Sequence, residues 1–195
     1  MNVQVKSSNG ITLMPIETKL MTGRKIFIEG EINQETACRF TKQVLCLATE
    51  DPKAPIDILI NSPGGEIGAG MLIYDVMQTA GVPMRTFCIG NAYSMAALLF
   101  AAGTDGRYML PNSELMLHEP LIANHIGGSC SSIRSISETM QETRKKINKI
   151  LAKHTGKTEK EIEAVTDHDH YFSAAEALKF HLCDKIVGFD TLIKG

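Results

Sequence analysis

Two glycine-bearing turns, Asn61-Ser62-Pro63-Gly64-Gly65 and Gly90-Asn91-Ala92-Tyr93-Ser94-Met95, each follow a short apolar run and each lead into an amphipathic stretch. A strand-to-helix turn of this kind leaves backbone N–H groups without partners, and such groups can hold an oxyanion. A serine at the second turn stands beside them and needs only a base and an orienting acid to become a nucleophile. His118 follows on the next apolar run, and two carboxylates, Asp167 and Asp169, come later. These are the parts of an acyl-transfer site. Each part alone is ordinary, since a serine at a helix start commonly caps it and a histidine beside an apolar strand is commonly structural. The turn is also not the G-x-S-x-G elbow of the α/β-hydrolases, because Ala92 and Ala96 occupy the flanking positions. From residue chemistry alone, either aspartate could orient the histidine.

From Lys25 onward short apolar runs alternate with amphipathic stretches, the pattern of strand and helix in alternation and of an α/β layered fold. Lys25 to Glu29 and Ile56 to Ile60 read as strands. Between them Asn33 is an N-cap, and Ala37, Phe40, Val44, Leu47 and Ala48 recur at helical spacing until Asp51-Pro52. The first glycine turn opens a helix carrying Ile67, Met71, Ile73, Val76 and Met77. Met84 to Ile89 is a third strand, and Ser94 starts a small-residue helix that Gly103 closes. Strands near 107–110 and 114–117 follow. After the glycine-bearing segment His125-Ile126-Gly127-Gly128-Ser129, a helix runs to about His154 with an apolar seam of Ile133, Ile136, Met140, Ile147, Ile150 and Leu151. That seam is longer than a usual helix, so the helix is expected to project and pack on a neighbour, the alternative being a long helix folded back on its own core. Thr158 with Glu161, and Ser173 with Glu176, have capping-box spacing.

A chain of 195 residues buries a core as one domain, and 44% hydrophobic with 22% charged residues is the composition of ordinary globular proteins. The 20 basic and 22 acidic residues are spread through the chain, which leaves no basic stripe for nucleic acid. No apolar run spans a bilayer, and the first residues lack the layout of a signal peptide, so a cytoplasmic location and no membrane partner are expected. Five cysteines, Cys38, Cys46, Cys88, Cys130 and Cys183, are an odd, widely spaced set that reads as buried, inert thiols rather than a disulfide frame or a zinc site.

The motifs Ile60-Asn61-Ser62-Pro63-Gly64-Gly65, Tyr74-Asp75-Val76-Met77-Gln78, Gly90-Asn91-Ala92-Tyr93-Ser94-Met95-Ala96-Ala97, Leu110-Pro111-Asn112-Ser113 and Met116-Leu117-His118-Glu119-Pro120-Leu121 resemble, in order and spacing, the Clp protease proteolytic subunit family (ClpP). The likeness continues through His154-Thr155-Gly156 and Thr166-Asp167-His168-Asp169-His170-Tyr171-Phe172-Ser173 and covers about Asn9 to Val187. It implies a ClpP/crotonase-like layered fold of ββα units, with residues 1–195 as one peptidase domain, 1–24 near an axial pore and 122–155 as a handle strand and helix. It makes Ser94 the nucleophile, His118 the base and then acid, and Asp169 rather than Asp167 the orienting group. The amides of Gly65 and Met95 become the oxyanion hole, and Gly64, Gly127 and Gly128 line the substrate path, where a peptide adds as a strand. It further implies a homo-oligomer of two stacked heptameric rings, peptide substrates, no metal or cofactor, and ATP used only by a partner unfoldase.

Several positions depart from the family pattern. Tyr93 and Ala96 alter the wall of the substrate pocket beside the nucleophile, and Glu119 adds a carboxylate next to the histidine that either raises its basicity or, if exposed, does nothing. Asp57 and Leu59 replace aromatic residues expected on an outward face where an unfoldase docks. His168 replaces an arginine, with Asp167 before it, so ring stacking could respond to pH. The segment after Leu121 is longer than usual by about two residues. Two other functions stand beside an active peptidase: a low-activity subunit of mixed rings, and a crotonase-type enzyme acting on CoA thioesters.

Overall fold

The computed structural model describes residues 1–7, 10–122 and 127–194. The segment before Lys25, for which the sequence offered no elements, forms an antiparallel hairpin of β1 (Asn2–Ser7) and β2 (Gly10–Pro15), then the short helix α1 (Ile16–Thr22). Neither β2 nor α1 contributes a buried residue.

The layered α/β body starts with β3 (Lys25–Ile32), α2 (Gln34–Glu50), β4 (Ile56–Gly65), α3 (Ile67–Thr79), β5 (Met84–Tyr93) and α4 (Met95–Ala101). As expected, Asn33 caps α2, its side chain accepting the Thr36 N–H at 3.0 Å. Two short strands, β6 (Arg107–Met109) and β7 (Glu114–Leu117), precede the long helix α5 (Cys130–Thr155). The chain ends with α6 (Glu159–Thr166), β8 (His170–Ser173), α7 (Ala174–Phe180), β9 (Lys185–Ile186) and α8 (Asp190–Lys194). Both expected capping boxes are present, Thr158 with Glu161 on α6 and Ser173 with Glu176 on α7.

Strands β3, β4, β5, β6 and β9 lie side by side in that order, all parallel. Strand β7 continues beside the end of β5 in parallel and pairs on its other side with antiparallel β8. The two-residue period of a strand explains the layers. Ile26 and Ile28 of β3, Ile56, Ile58 and Ile60 of β4, and Met84 and Cys88 of β5 enter the main core with residues of α2, α3, α4, α5, α6 and α7. The alternate residues form a smaller cluster on the opposite face, where Leu59, Phe87 and Leu192 are buried and Phe27, Ile89, Tyr108 and Val187 pack against them.

Asp57 and Leu59 both belong to that second face. Leu59 is covered by Leu192 of α8, beside a groove of about 460 Å³ that Lys19, Phe27 and Phe189 also line. Asp57 is buried between its register neighbours, with Arg85 Nε at 2.6 Å and Lys25 Nζ at 3.6 Å. A buried carboxylate is tolerable only with such partners.

Helix α5 has 26 residues, about 39 Å at 1.5 Å per residue. It buries only Ile147, Asn148, Leu151 and Thr155 from its C-terminal third, while Ile133 is 47% exposed. The first half therefore projects from its own domain, as its apolar seam predicted. At the anchored end, Tyr74 of α3 lies 3.1 Å from His154 Nε2. Burial, with help from the charges of Lys153 and Arg107, lowers the His154 pKa from 6.5 to about 4. The folded protein thus binds fewer protons than the unfolded chain between those values, and stability is lost as pH falls from about 6.5 towards 4. Thermal melts of His154→Gln should show a weaker pH dependence across that window than the parent protein.

Candidate active site

The turn after β5 carries Ser94 in a conformation that side-chain-bearing residues rarely adopt, φ 55° and ψ −121°. Such strain costs on the order of 1–3 kcal/mol and persists only where the surroundings hold it. They do: Ser94 N–H donates to the Met116 carbonyl at 2.8 Å, and the Ser94 carbonyl accepts from Ala97 and Leu98. Every residue of α4 from Met95 to Ala101 is buried. Burial of Leu98, Leu99 and Phe100 contributes roughly 1.5–3 kcal/mol each, enough to outweigh the strain. The turn is also tied to β4, because Asn61 Oδ1 accepts the Asn91 N–H at 3.0 Å.

Strand register aligns the rest of the row. Tyr93 lies opposite Met116 in the β5–β7 pair, and Leu117 lies opposite His170 in the β7–β8 pair. Ser94, His118 and Asp169 each sit one residue beyond these positions, so the three meet at one end of three adjacent strands. His118 Nε2 is 2.7 Å from Ser94 Oγ, and His118 Nδ1 is 3.3 Å from Asp169 Oδ1. With the ring proton on Nδ1, facing the carboxylate, Nε2 is free to accept the serine proton. The His118 side chain is only 14% exposed, whereas Asp169 is 58% exposed in the isolated chain.

Gly64 and Gly65 take φ values of 96° and 150°, and both approach neighbouring backbone too closely for a side chain. A Cβ on Gly64 would stand 2.8 Å from Ser94 Cβ and 3.2 Å from Met95 N; one on Gly65 would stand 2.2 Å from the Ile32 carbonyl oxygen. The two glycine turns therefore touch, which brings the main chain of Gly64-Gly65 against the start of α4. The Gly64 N–H already donates to Ser62 Oγ at 3.1 Å, which turns it back into its own loop. Gly127 and Gly128 lie just ahead of α5, and among the described residues neither has a hydrogen bond to Ser94 or His118. His125 and Ile126 of the same segment lie outside the described residues.

Several side chains around the row have partners of their own. Tyr93 points along the sheet, its hydroxyl donating to Glu114 Oε1 at 2.6 Å and its ring meeting Tyr171 edge-on at 5.8 Å. The Glu114 hydrogen bond, followed by burial, raises the Tyr93 pKa to about 12, so this phenol keeps its proton and is no rival base. Glu119 does not face His118; its carboxylate turns to Arg144 of α5 at 3.3 Å. Asp167 also goes to Arg144, at 2.5 Å, which separates its role from that of Asp169. The cysteines divide: Cys88 and Cys183 are buried and raised to about 11, chiefly by burial, whereas Cys46 and Cys130 are exposed. All five are free thiols.

Arg144 and the Asn61 side chain were not legible as parts of this site. Asn61 had a signal, its place two residues before Pro63 in a turn. Arg144 had none, because its partners lie 19 to 25 residues away along the chain or across a loop. Among the described residues no helix is long and apolar enough to cross a membrane. The Clp protease family model matches residues 8–189 of the 195, and the mixed α/β architecture, with its largely parallel sheet, is the ClpP/crotonase-like fold. With the match running through both glycine turns, His118 and Asp169, this chain belongs to the Clp protease family and is a ClpP-like peptidase.

Proposed function

We propose that the protein is a serine endopeptidase subunit in which Ser94 Oγ attacks the scissile carbonyl of an unfolded polypeptide. The observation that carries this reading is the contact of His118 Nε2 with Ser94 Oγ at 2.7 Å, with Asp169 on the opposite ring nitrogen. His118 takes the serine proton as the bond forms, and Asp169 stabilises the imidazolium that results. His118 then returns the proton to the leaving amine, and water releases the acyl group by the same route. The amides of Gly65 and Met95 receive the charge on the tetrahedral oxygen; the contact between the two glycine turns supports this pair. Gly64, Gly127 and Gly128 would border the path of the extended substrate, where small residues admit a peptide backbone. None of these steps calls for a metal or cofactor.

The same reading makes the working form a chamber of two stacked heptameric rings in the cytoplasm, fed by an ATP-driven unfoldase. Two features support assembly. The exposed Ile133 and the projecting half of α5 offer an apolar surface to a second copy. Asp169, 58% exposed in a single chain, would gain from enclosure, since an exposed ion pair contributes little. A crotonase-type thioester enzyme would have no need of a Ser–His–Asp row, and a silent subunit of mixed rings would not be expected to keep all three members.

Peptide hydrolysis tests the proposal. Size-exclusion fractions assayed with a fluorogenic peptide should show activity in a multimer measured by light scattering, and little in any monomer peak. A fully active monomer would remove the chamber from the account, and a multimer with no hydrolysis of any peptide would remove the peptidase.

A further inference from the structure

One guanidinium binds three carboxylates on two separate segments beside the row. Arg144 Nη2 lies 2.5 Å from Asp167 Oδ1 and 3.5 Å from Glu163 Oε1, and Nη1 lies 3.3 Å from Glu119 Oε2. Glu119 is the residue after His118, and Asp167 stands two before Asp169. Arg144 belongs to α5, so a single side chain of the long helix holds the loop that follows the base and the loop that precedes the acid. The Arg144 side chain is 27% exposed and its Nε is buried without an acceptor, so the grip falls entirely on the two terminal nitrogens. A planar fork can span two carboxylates in this way, whereas an ammonium is a single point.

We propose that Arg144 is a positioning residue that sets the distance between His118 and Asp169 and couples it to the placement of α5. The proposal rests on the serine-peptidase reading above. The His118 Nδ1 to Asp169 Oδ1 distance of 3.3 Å is the looser of the two contacts in the row, and it is the one whose two ends Arg144 holds. A shift of about 1 Å in such a row costs about a hundredfold in rate. The substrate path proposed above runs past Gly64, Gly127 and Gly128 and does not use Arg144, so the effect is expected in kcat and not in KM.

The test compares Arg144→Gln, Arg144→Lys and the pair Glu119→Gln/Asp167→Asn, with wild type and Ser94→Ala as limits, using a fluorogenic peptide and light scattering on each. Arg144→Gln should lower kcat by about tenfold to a hundredfold with KM within about twofold, and Arg144→Lys should recover only part of it. The carboxylate pair leaves Arg144 in place and should also lower kcat. Adding Arg144→Gln to that pair should cost little more, as expected of groups acting as one unit. A wild-type kcat in the carboxylate pair overturns the proposal, even if Arg144→Gln proves too unstable to assemble. So does a loss that appears in KM alone, or losses that simply multiply. Wild-type protein that is itself no faster than Ser94→Ala would instead overturn the peptidase reading on which the proposal rests.

Discussion

Ser94→Ala should lower kcat for peptide hydrolysis by about 10⁶-fold, the scale of loss when a triad nucleophile is removed. The variant should fold and assemble as before. Alanine meets the same positive-φ cost as serine at φ 55°, and the backbone bonds that hold the turn, from Ser94 N–H to Met116 and from Ala97 to the Ser94 carbonyl, remain. Only the hydroxyl that meets His118 at 2.7 Å is lost. Steady-state kinetics beside a thermal melt check this: near-parental melting with activity at background is the expected pair of results. Activity within tenfold of the parent would mean that another group attacks the substrate.

Asp169→Asn should cost about 10⁴-fold in kcat, and Asp167→Asn far less. The reason lies in the tautomer. A carboxylate facing Nδ1 keeps the ring proton there and leaves Nε2 as an acceptor; an amide can donate to Nδ1 and drive the proton to Nε2, where it blocks transfer from Ser94. Asp167 faces Arg144 instead of the imidazole, so its loss acts only through the position of its neighbours. Parallel kinetics on the two variants decide between them. A larger loss from Asp167→Asn would assign the acid to the wrong aspartate.

Much of this site could be read from the order of its motifs, and structure shows where residue types stop being informative. The two glycine turns, the serine at the start of α4 and the histidine after β7 follow from local pattern, because strand-to-helix turns leave signatures in the sequence. The choice between Asp167 and Asp169 did not follow from chemistry. It depends on the antiparallel register of β8 on β7, with Leu117 opposite His170, and register between segments so far apart in the chain has no local code. Helix ends were legible for the same reason as the turns, since the caps at Asn33, Thr158 and Ser173 act within three residues. The burial of Asp57 and Leu59 was not legible because a central parallel strand is covered on both faces, so alternation does not mark an exposed side. The cover on Leu59 comes from Leu192, near the other end of the chain. Which of the two expectations for Glu119 holds was not legible, because adjacency in sequence to His118 says nothing of where its carboxylate turns. The hairpin before Lys25 lacks a buried face to impose a strong pattern.

Covalent labelling bears most directly on the central claim, that Ser94 is an activated nucleophile. Purified protein that hydrolyses peptides is treated with a fluorophosphonate, digested and mapped by mass spectrometry. The expected adduct lies on the Ser94 hydroxyl, forms as activity disappears, and is missing from Ser94→Ala. Active protein that takes no label at Ser94, or that loses activity while labelled at a different residue, would contradict the account.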